Sequence, residues 1–349
     1  MHSHSIFSWP LVGLLLAACT GPQTRQMAAS IRVDTLVTAS TLPIELPVGA
    51  YPLPSGRIAL LDYKASKLLL LDSAGRLQTS YGRPGKGPGE FLRAYGLALH
   101  ADTLAVFDIG NGRLANFLPD QGFVGVRPLP QGFAHQAFIL LDGDTTLHMT
   151  DGADSALVVL RSPTGQVLVR YGTPVVPAQT FFHFGKMKQA AAEGRIPDEF
   201  KNIALPVLGP QRDVWIIQQA TGRIEHFRAD GRRLGGLSLS PEHIARRTEE
   251  FLRASREVAK DPARMAGIAM ISGADAKDGR LWVLLAEPDS VPAQLVVIDT
   301  TYTIRESYEI PGAAGSSSLS RDPRTGALYL LNRGEGILFR LWIVPKSAA

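Results

Sequence analysis

A short apolar run closed by a turn-forming residue recurs six times along the 349-residue chain: Ile58–Asp62, Leu104–Asp108, Leu147–Asp151, Val214–Gln218, Trp282–Ala286 and Leu328–Asn332. The closing residue is mostly Asp or Asn, whose short side chain bonds nearby backbone and so favours a turn. A second apolar run follows each time, at Lys67–Asp72, Arg113–Leu118, Ala156–Arg161, Arg223–Arg228, Gln294–Asp299 and Gly336–Trp342. A turn then places glycine at a fixed point (Gly75, Gly122, Gly165, Gly231), and a third run begins, as in Leu77–Tyr81 and Val167–Tyr171. Their length and their Val, Ile, Leu and aromatic content mark these runs as strands. The 34 glycines and 24 prolines fit a chain that turns often.

The spacing of the repeats decides the architecture. The closing residues at 62, 108, 151, 218, 286 and 332 are separated by 46, 43, 67, 68 and 46 residues. Three intervals match the ~40–50 residue period of a propeller blade, and the other two exceed it by about twenty residues. Each long interval holds a segment without strand character, at about 178–195 and 241–266. The sixth repeat stops near Pro345 without a fourth strand, while Ile31–Ala39 supplies an unmatched strand before the first. The sequence therefore predicts an all-β fold over residues 31–345. It is a six-bladed β-propeller with four-stranded blades, in which the N-terminal strand completes the last blade. Radial closure of this kind leaves only short, protected sheet edges.

The second insertion reads as a helix. Ser240 caps it, Pro241 takes the first helical position and Glu242 lies in the first turn. Ile244, Thr248, Phe251, Ser255 and Val258 share a face, Glu242/Arg246 and Glu249/Arg253 are spaced as i,i+4 pairs, and Pro262 would end the helix. Two roles suit it: a cover packed on one blade, or a partner-binding element.

Residues 1–18 read as a signal peptide. The apolar stretch beginning at Leu11 is too short to span a bilayer and ends in the small residues Ala17-Ala18, as at a signal-peptidase site. Cys19 follows directly and is the sole cysteine, so Leu16-Ala17-Ala18-Cys19 resembles the bacterial lipobox. That resemblance implies a lipidated Cys19, a polar tether over 19–30, and a membrane attachment strengthened by each buried methylene. It implies an address in the bacterial envelope, facing periplasm or exterior, and the outer membrane where sorting follows the enteric rule, since Thr20 stands where an inner-membrane retention Asp would be.

Gly82-Arg-Pro-Gly-Lys-Gly-Pro-Gly-Glu-Phe91, continued by Asp108, Asn111 and Arg113, resembles an NHL-repeat propeller. The resemblance is specific over 82–118 and degenerate elsewhere. With the lipobox and the helical insertion, the chain also resembles bacterial six-bladed propeller lipoproteins. What this implies is fold more than function, because propellers host binding, lyase and hydrolase activities alike. In such repeats the Asp, Asn and Arg mainly fix turns, and the glycine loop connects blades with Phe91 inserted between them.

Candidate chemistry is sparse. The glycine loop leads to a strand and lacks the Gly-Lys-Ser/Thr helix start of a phosphate loop. His100, His135, His148, His183, His226 and His243 show no metal-ligand spacing, and no Gly-X-Ser-X-Gly elbow occurs. No metal site and no cofactor are expected. Net charge is +4 with scattered Arg and Lys and no aromatic-basic run, so nucleic acid is not the expected partner. Residues that lead into the innermost strands should ring the channel mouth, where propellers bind ligands. The candidates are Tyr51, Arg93, Tyr95, His135, Gln136, Lys201, Asn202 and Ser316. This aromatic, cationic and amide set suits a polar or anionic ligand, whether protein, peptide or carbohydrate. The expectation is a monomeric, non-enzymatic binding scaffold. The alternative is a metal-assisted hydrolase or lyase with acidic or His side chains converging in the channel.

Overall fold

A computed structural model describes residues 29–100, 102–129, 138–178, 183–261, 264–288 and 290–345. Cys19, the tether up to residue 28, His135, Gln136 and Pro262 lie outside these, while the last two residues assigned to the tether, Ala29 and Ser30, already belong to a strand. Among the described residues, twenty-four strands form six four-stranded antiparallel sheets. Blade 1 comprises Pro47–Pro52, Ile58–Asp62, Lys67–Leu71 and Leu77–Tyr81. Blade 2 comprises Ala94–His100, Thr103–Asp108, Arg113–Leu118 and Gly122–Pro128. Blade 3 is built from Phe138–Leu140, Thr146–Met149, Val158–Arg161 and Val167–Tyr171, and blade 4 from Ala204–Leu208, Val214–Gln218, Arg223–Phe227 and Arg233–Ser238. Blade 5 holds Ile271–Lys277, Arg280–Leu285, Ala293–Ile298 and Ile304–Ile310. Blade 6 takes Ser316–Arg321, Leu328–Asn332 and Ile337–Pro345, and Ala29–Val37 pairs with the last of these as its fourth strand. The first strands of consecutive blades touch all the way round, last to first included, so the sheets close into a propeller.

Burial follows position. Second strands such as Ile58–Asp62, Val214–Gln218 and Leu328–Asn332 are buried at every residue, because neighbouring blades cover both faces. Outer strands alternate instead: Ile304–Ile310 buries every second residue from Glu306 onward and exposes those between. The turn into the outer strand carries a bulge in five blades, with a left-handed residue at its tip. That residue is Gly75, Gly122, Gly165 and Gly231 in the first four blades, but Tyr302 (φ 60°) in blade 5.

The insertions flank blade 4. The first holds α1 (Phe184–Ala192) and leads to α2 (Asp198–Lys201); the second holds α3 (Pro241–Glu257). Ser240 caps α3 by accepting the His243 amide at 3.2 Å. Its buried face packs Phe251 edge-on against Phe200 of α2, centroids 5.6 Å apart, in the same core as Met187 and Ala191 of α1. Lys188 of α1 donates to the carbonyls of Ala259 and Asp261 just past the end of α3, where backbone acceptors lack helical partners. The two insertions are thus one cover. The surface charges take other partners than those predicted: Arg246 reaches Glu287 of blade 5, and Arg253 pairs with Glu257, four residues after it rather than before. Tertiary carboxylates and a later helical neighbour outcompete Glu242 and Glu249. Among the described residues, no helix is long and apolar enough to cross a membrane.

Candidate functional site in the central channel

The register of each sheet defines one rim of the channel. First strands begin opposite the ends of second strands, as Pro47 opposite Asp62, Ala94 opposite Asp108, Ala204 opposite Gln218 and Ser316 opposite Asn332. Residues just before a first strand or just after a second strand therefore share this upper rim. The recurrent closing residues hold it. Asp62 accepts the amides of Glu45 and Leu46 at 2.8 and 3.1 Å, and the fully buried Asp108 accepts those of Leu92 and Arg93 at 2.9 and 3.2 Å. Asn332 does the same work through its Nδ2, which donates to the Ala314 carbonyl.

Blade 2 adds a second layer of fixation. Arg113 donates to the carbonyls of Gly87 (2.8 Å) and Glu90 (2.9 Å), and Asn111 donates to Gly85 (3.0 Å) and to the Asp108 carboxylate. These bonds wrap the Gly82–Phe91 loop onto the blade, while Phe91 is wholly buried between blades 1 and 2. The Asp108–Asn111–Arg113 group is consumed by backbone and by itself. It positions Arg93 and offers no open ligand site.

A bulge at the start of the first strand recurs in blades 1, 2, 5 and 6, making Val48, Tyr95, Ser272 and Ser317 the extra residues. Such bulges re-aim side chains. Val48 and Tyr95 both reach the channel wall. The following position must be small: a Cβ on Gly49 would lie 2.6 Å from the Tyr51 ring, and one on Gly96 would lie 2.4 Å from Phe107.

The channel is a cavity of about 1170 Å³ lined by all six blades. At the upper rim stand Arg93, Tyr95, Tyr63 and Arg333. Tyr63 and Tyr95 meet edge to face with centroids 5.8 Å apart. Arg333 donates through Nε to the Pro47 carbonyl at 3.1 Å. Among the described residues, neither Arg93 nor Arg333 has a carboxylate within ion-pair distance. Tyr51 folds back over Gly49. Burial raises its phenol pKa, opposed by a hydrogen bond from the Leu97 backbone and by the Arg333 charge. Below the rim the wall is mainly aliphatic, with Leu99, Ile139, Leu205 and Leu208 partly exposed to the channel. Asp275 is the one carboxylate on the described wall, and Arg321 holds it at 2.5 Å while stacking on Trp282 at 4.6 Å. No group of three or more His, Cys, Asp or Glu able to hold a metal occurs among the described residues.

Of the residues singled out from sequence, Tyr51, Arg93 and Tyr95 line this cavity together. Three do not. Lys201 pairs with Asp198 at 2.6 Å on α2. Asn202 is buried and holds the 172–178 segment, accepting from Val175 at 2.8 Å and donating to the carbonyls of Val176 and Asp151. Ser316 is buried opposite Asn332. The insertion before blade 4 diverts the first two, since helix α2 replaces a direct approach to the strand. Sequence reasoning missed Tyr63, Arg333 and Asp275. The first two were findable, because each directly follows a repeat-closing residue, Asp62 and Asn332, as does the channel-lining Ile109 after Asp108.

No family model and no curated protein sequence matches the chain. Solved structures of very low identity share the fold. A streptogramin B lyase structure has a TM-score of 0.50 at 13% identity, covering 90% of this chain and 98% of its own. A candidate exported protein of Bacteroides fragilis has a TM-score of 0.50 at 13% identity, covering 90% and 95%. The PQQ-bound aldose sugar dehydrogenase of Streptomyces coelicolor has a TM-score of 0.51 at 14% identity, covering 90% and 99%. Such similarity establishes a six-bladed propeller and carries no activity with it.

Proposed function

We propose that this protein is an exported propeller, lipid-anchored through Cys19, that binds an anionic ligand at its central channel without transforming it. One observation carries the reading: Arg93 and Arg333 stand on a single cavity among Tyr51, Tyr63 and Tyr95, and among the described residues no carboxylate is paired to either. Guanidinium groups left unpaired at a concave, aromatic rim favour an incoming carboxylate or phosphate by bidentate hydrogen bonding. The enzymatic alternative calls for acidic or His side chains converging on one point. Asp275 is instead tied to Arg321. The NHL-like loop supports this reading only as scaffolding, since its polar residues are spent on fixing the rim.

The test pairs charged ligands with neutral counterparts, such as glucuronate with glucose and hippurate with its amide, titrated calorimetrically into the full chain. At least one anion should bind while its neutral partner does not, and an Arg93→Ala/Arg333→Ala protein should lose that preference at least tenfold. Equal binding of both members in every pair would overturn it. The anchor is tested separately: a Cys19→Ser chain should move to the soluble fraction, and retention in the membrane would refute lipidation.

A further inference from the structure

The two rim guanidiniums do not act on an otherwise polar tube. Arg93 precedes blade 2 and Arg333 follows the second strand of blade 6, so they flank blade 1 with its Tyr51 and Tyr63. Moving inward, the side chains change character. Leu205 of blade 4 lies one position below the rim, and Leu99, Ile139 and Leu208 of blades 2, 3 and 4 lie four positions below it. Leu208 stands four residues beyond Ala204, about 13 Å down the axis at ~3.3 Å per residue. Over this depth the described wall has no charge until Asp275, which Arg321 already neutralises.

We infer that the channel takes an amphiphilic anion: a carboxylate held by Arg93 and Arg333 at the rim, with an aliphatic body lying along Leu205, Leu99, Ile139 and Leu208. This deepens the anion-binding reading above and rests on it. The polarity gradient sets the orientation. A head anchored at the rim sends its tail toward the aliphatic stretch, whereas a ligand charged at both ends would place its second charge against leucine or against the occupied Asp275. Tyr63 and Tyr95 suit the junction, each offering an apolar ring face and a polar tip. At ~1.3 Å of advance per carbon, from bonds of about 1.5 Å, a chain of about ten carbons spans this depth. The competing feature is the first strands themselves, whose outer edges have no strand partner toward the channel and present backbone N–H and C=O groups. If those groups dominated recognition, tail length would not matter.

Straight-chain carboxylates from butanoate to dodecanoate, titrated into the full chain in lipid nanodiscs with empty nanodiscs as blank, decide between these. Affinity should rise about three- to fourfold per methylene, as expected for transfer of each group out of water, and level off near ten carbons. Octyl glucoside, with the same tail and no charge, should bind at least tenfold more weakly than octanoate. A Leu208→Asn protein that melts like the parent should lose affinity for decanoate while leaving butanoate unchanged. Equal affinity for butanoate and decanoate in the parent would overturn the inference and leave anion binding intact. Absence of binding by every carboxylate, together with failure of the glucuronate and hippurate pairs, would overturn both.

Discussion

Arg340 donates from Nη2 to the Asp34 carboxylate at 3.1 Å, joining two residues 306 positions apart across the strand pair that closes the ring. The same guanidinium donates to the Ser73 carbonyl at 2.8 Å in blade 1 and lies over Trp342. Arg340 therefore links the closing strand, the last blade and the first. Hydrogen bonding from Arg340 leads the causes that hold the Asp34 carboxyl below its usual range. A depressed carboxylate pKa stabilises the fold above the unfolded value, about pH 4, and that contribution is lost as pH falls through the folded one. Arg340→Ala should cost about 1–2 kcal/mol in urea denaturation at pH 7. Asp34→Asn should flatten the acid side of the stability curve; an unchanged acid limb would show that the pair does not hold the seam.

Replacing Gly96 by alanine tests the bulge that aims Tyr95. Its Cβ would meet the Phe107 ring at 2.4 Å, and that ring is itself 6% exposed and packed on the channel wall. Overpacking of this kind costs about 1–3 kcal/mol. Denaturation should show the loss, and Tyr95 fluorescence should shift as the bulge moves. A Gly96→Ala chain as stable as the parent would mean the register slips freely.

Asn202 separates a fixing residue from a binding one. Asn202→Ala would take a partner from the Val175 amide and the Val176 carbonyl, at a cost of about 1–3 kcal/mol. Neighbouring Lys201→Ala, which breaks only a half-exposed pair with Asp198, should stay within about 0.5 kcal/mol. Anion affinity should be untouched in both, whereas a lowered affinity in Asn202→Ala would return it to the ligand site.

The unequal fate of these residues shows what the sequence could express. Blade count and ring closure depend on strand period, on one unmatched strand before the first repeat and on the fourth strand the last repeat lacks, which are local patterns. Tyr51, Arg93 and Tyr95 could be placed on the channel because blades 1 and 2 follow the repeat without interruption. Lys201 and Asn202 could not, because their position depends on how α1, α2 and α3 pack against one another, and that contact joins segments some seventy residues apart. Asp275 was hidden for a related reason: its pairing with Arg321 spans two blades, and nothing near either residue announces it. Tyr63 and Arg333 stand one residue past the second strands of blades 1 and 6, where the local pattern marks a turn rather than a channel wall.

His148 is completely buried in blade 3, and its Nε2 accepts from Arg161 at 2.9 Å. Burial, reinforced by the Arg161 charge, pushes its pKa down to about 4. The unfolded chain therefore takes up a proton near pH 6.5 that the folded one refuses until about 4, so stability is full above pH 6.5 and declines as pH falls toward 4. The swing is on the order of 3 kcal/mol. A His148→Gln protein, which keeps an acceptor for Arg161, should lose most of this slope in denaturation measured from pH 7 to 4. An identical slope would place the pH sensitivity elsewhere.

The cover over blade 4 is fastened to blade 5 by an arrangement whose parts are not interchangeable. His243 donates through Nε2 to the Met270 carbonyl at 2.7 Å, so its Nδ1 is left as an acceptor, and Arg246 donates to it at 3.1 Å. Arg246 also donates to both Glu287 oxygens, at 2.7 and 2.8 Å. The Glu287 side chain is 2% exposed, while that of Arg246 is 46% exposed. Removing the arginine strands a buried carboxylate, whereas removing the carboxylate leaves an arginine that can turn to water. Arg246→Ala should therefore cost about 3–5 kcal/mol at pH 8, and Glu287→Gln should cost about 1 kcal/mol. In Arg246→Ala, two acceptors, His243 Nδ1 and Glu287 Oε1, face each other at 3.4 Å with no donor between them. A proton on His243 resolves that conflict, so its pKa, now held down chiefly by burial, should rise past its unfolded value in the variant. Because the raised group stabilises below its folded pKa, the Arg246→Ala protein should regain stability as pH drops from 8 to 6. NMR titration of the His243 ring follows the shift directly. A ring that titrates as in the parent, with full loss of stability at pH 6, would show that α3 is held by its apolar face alone.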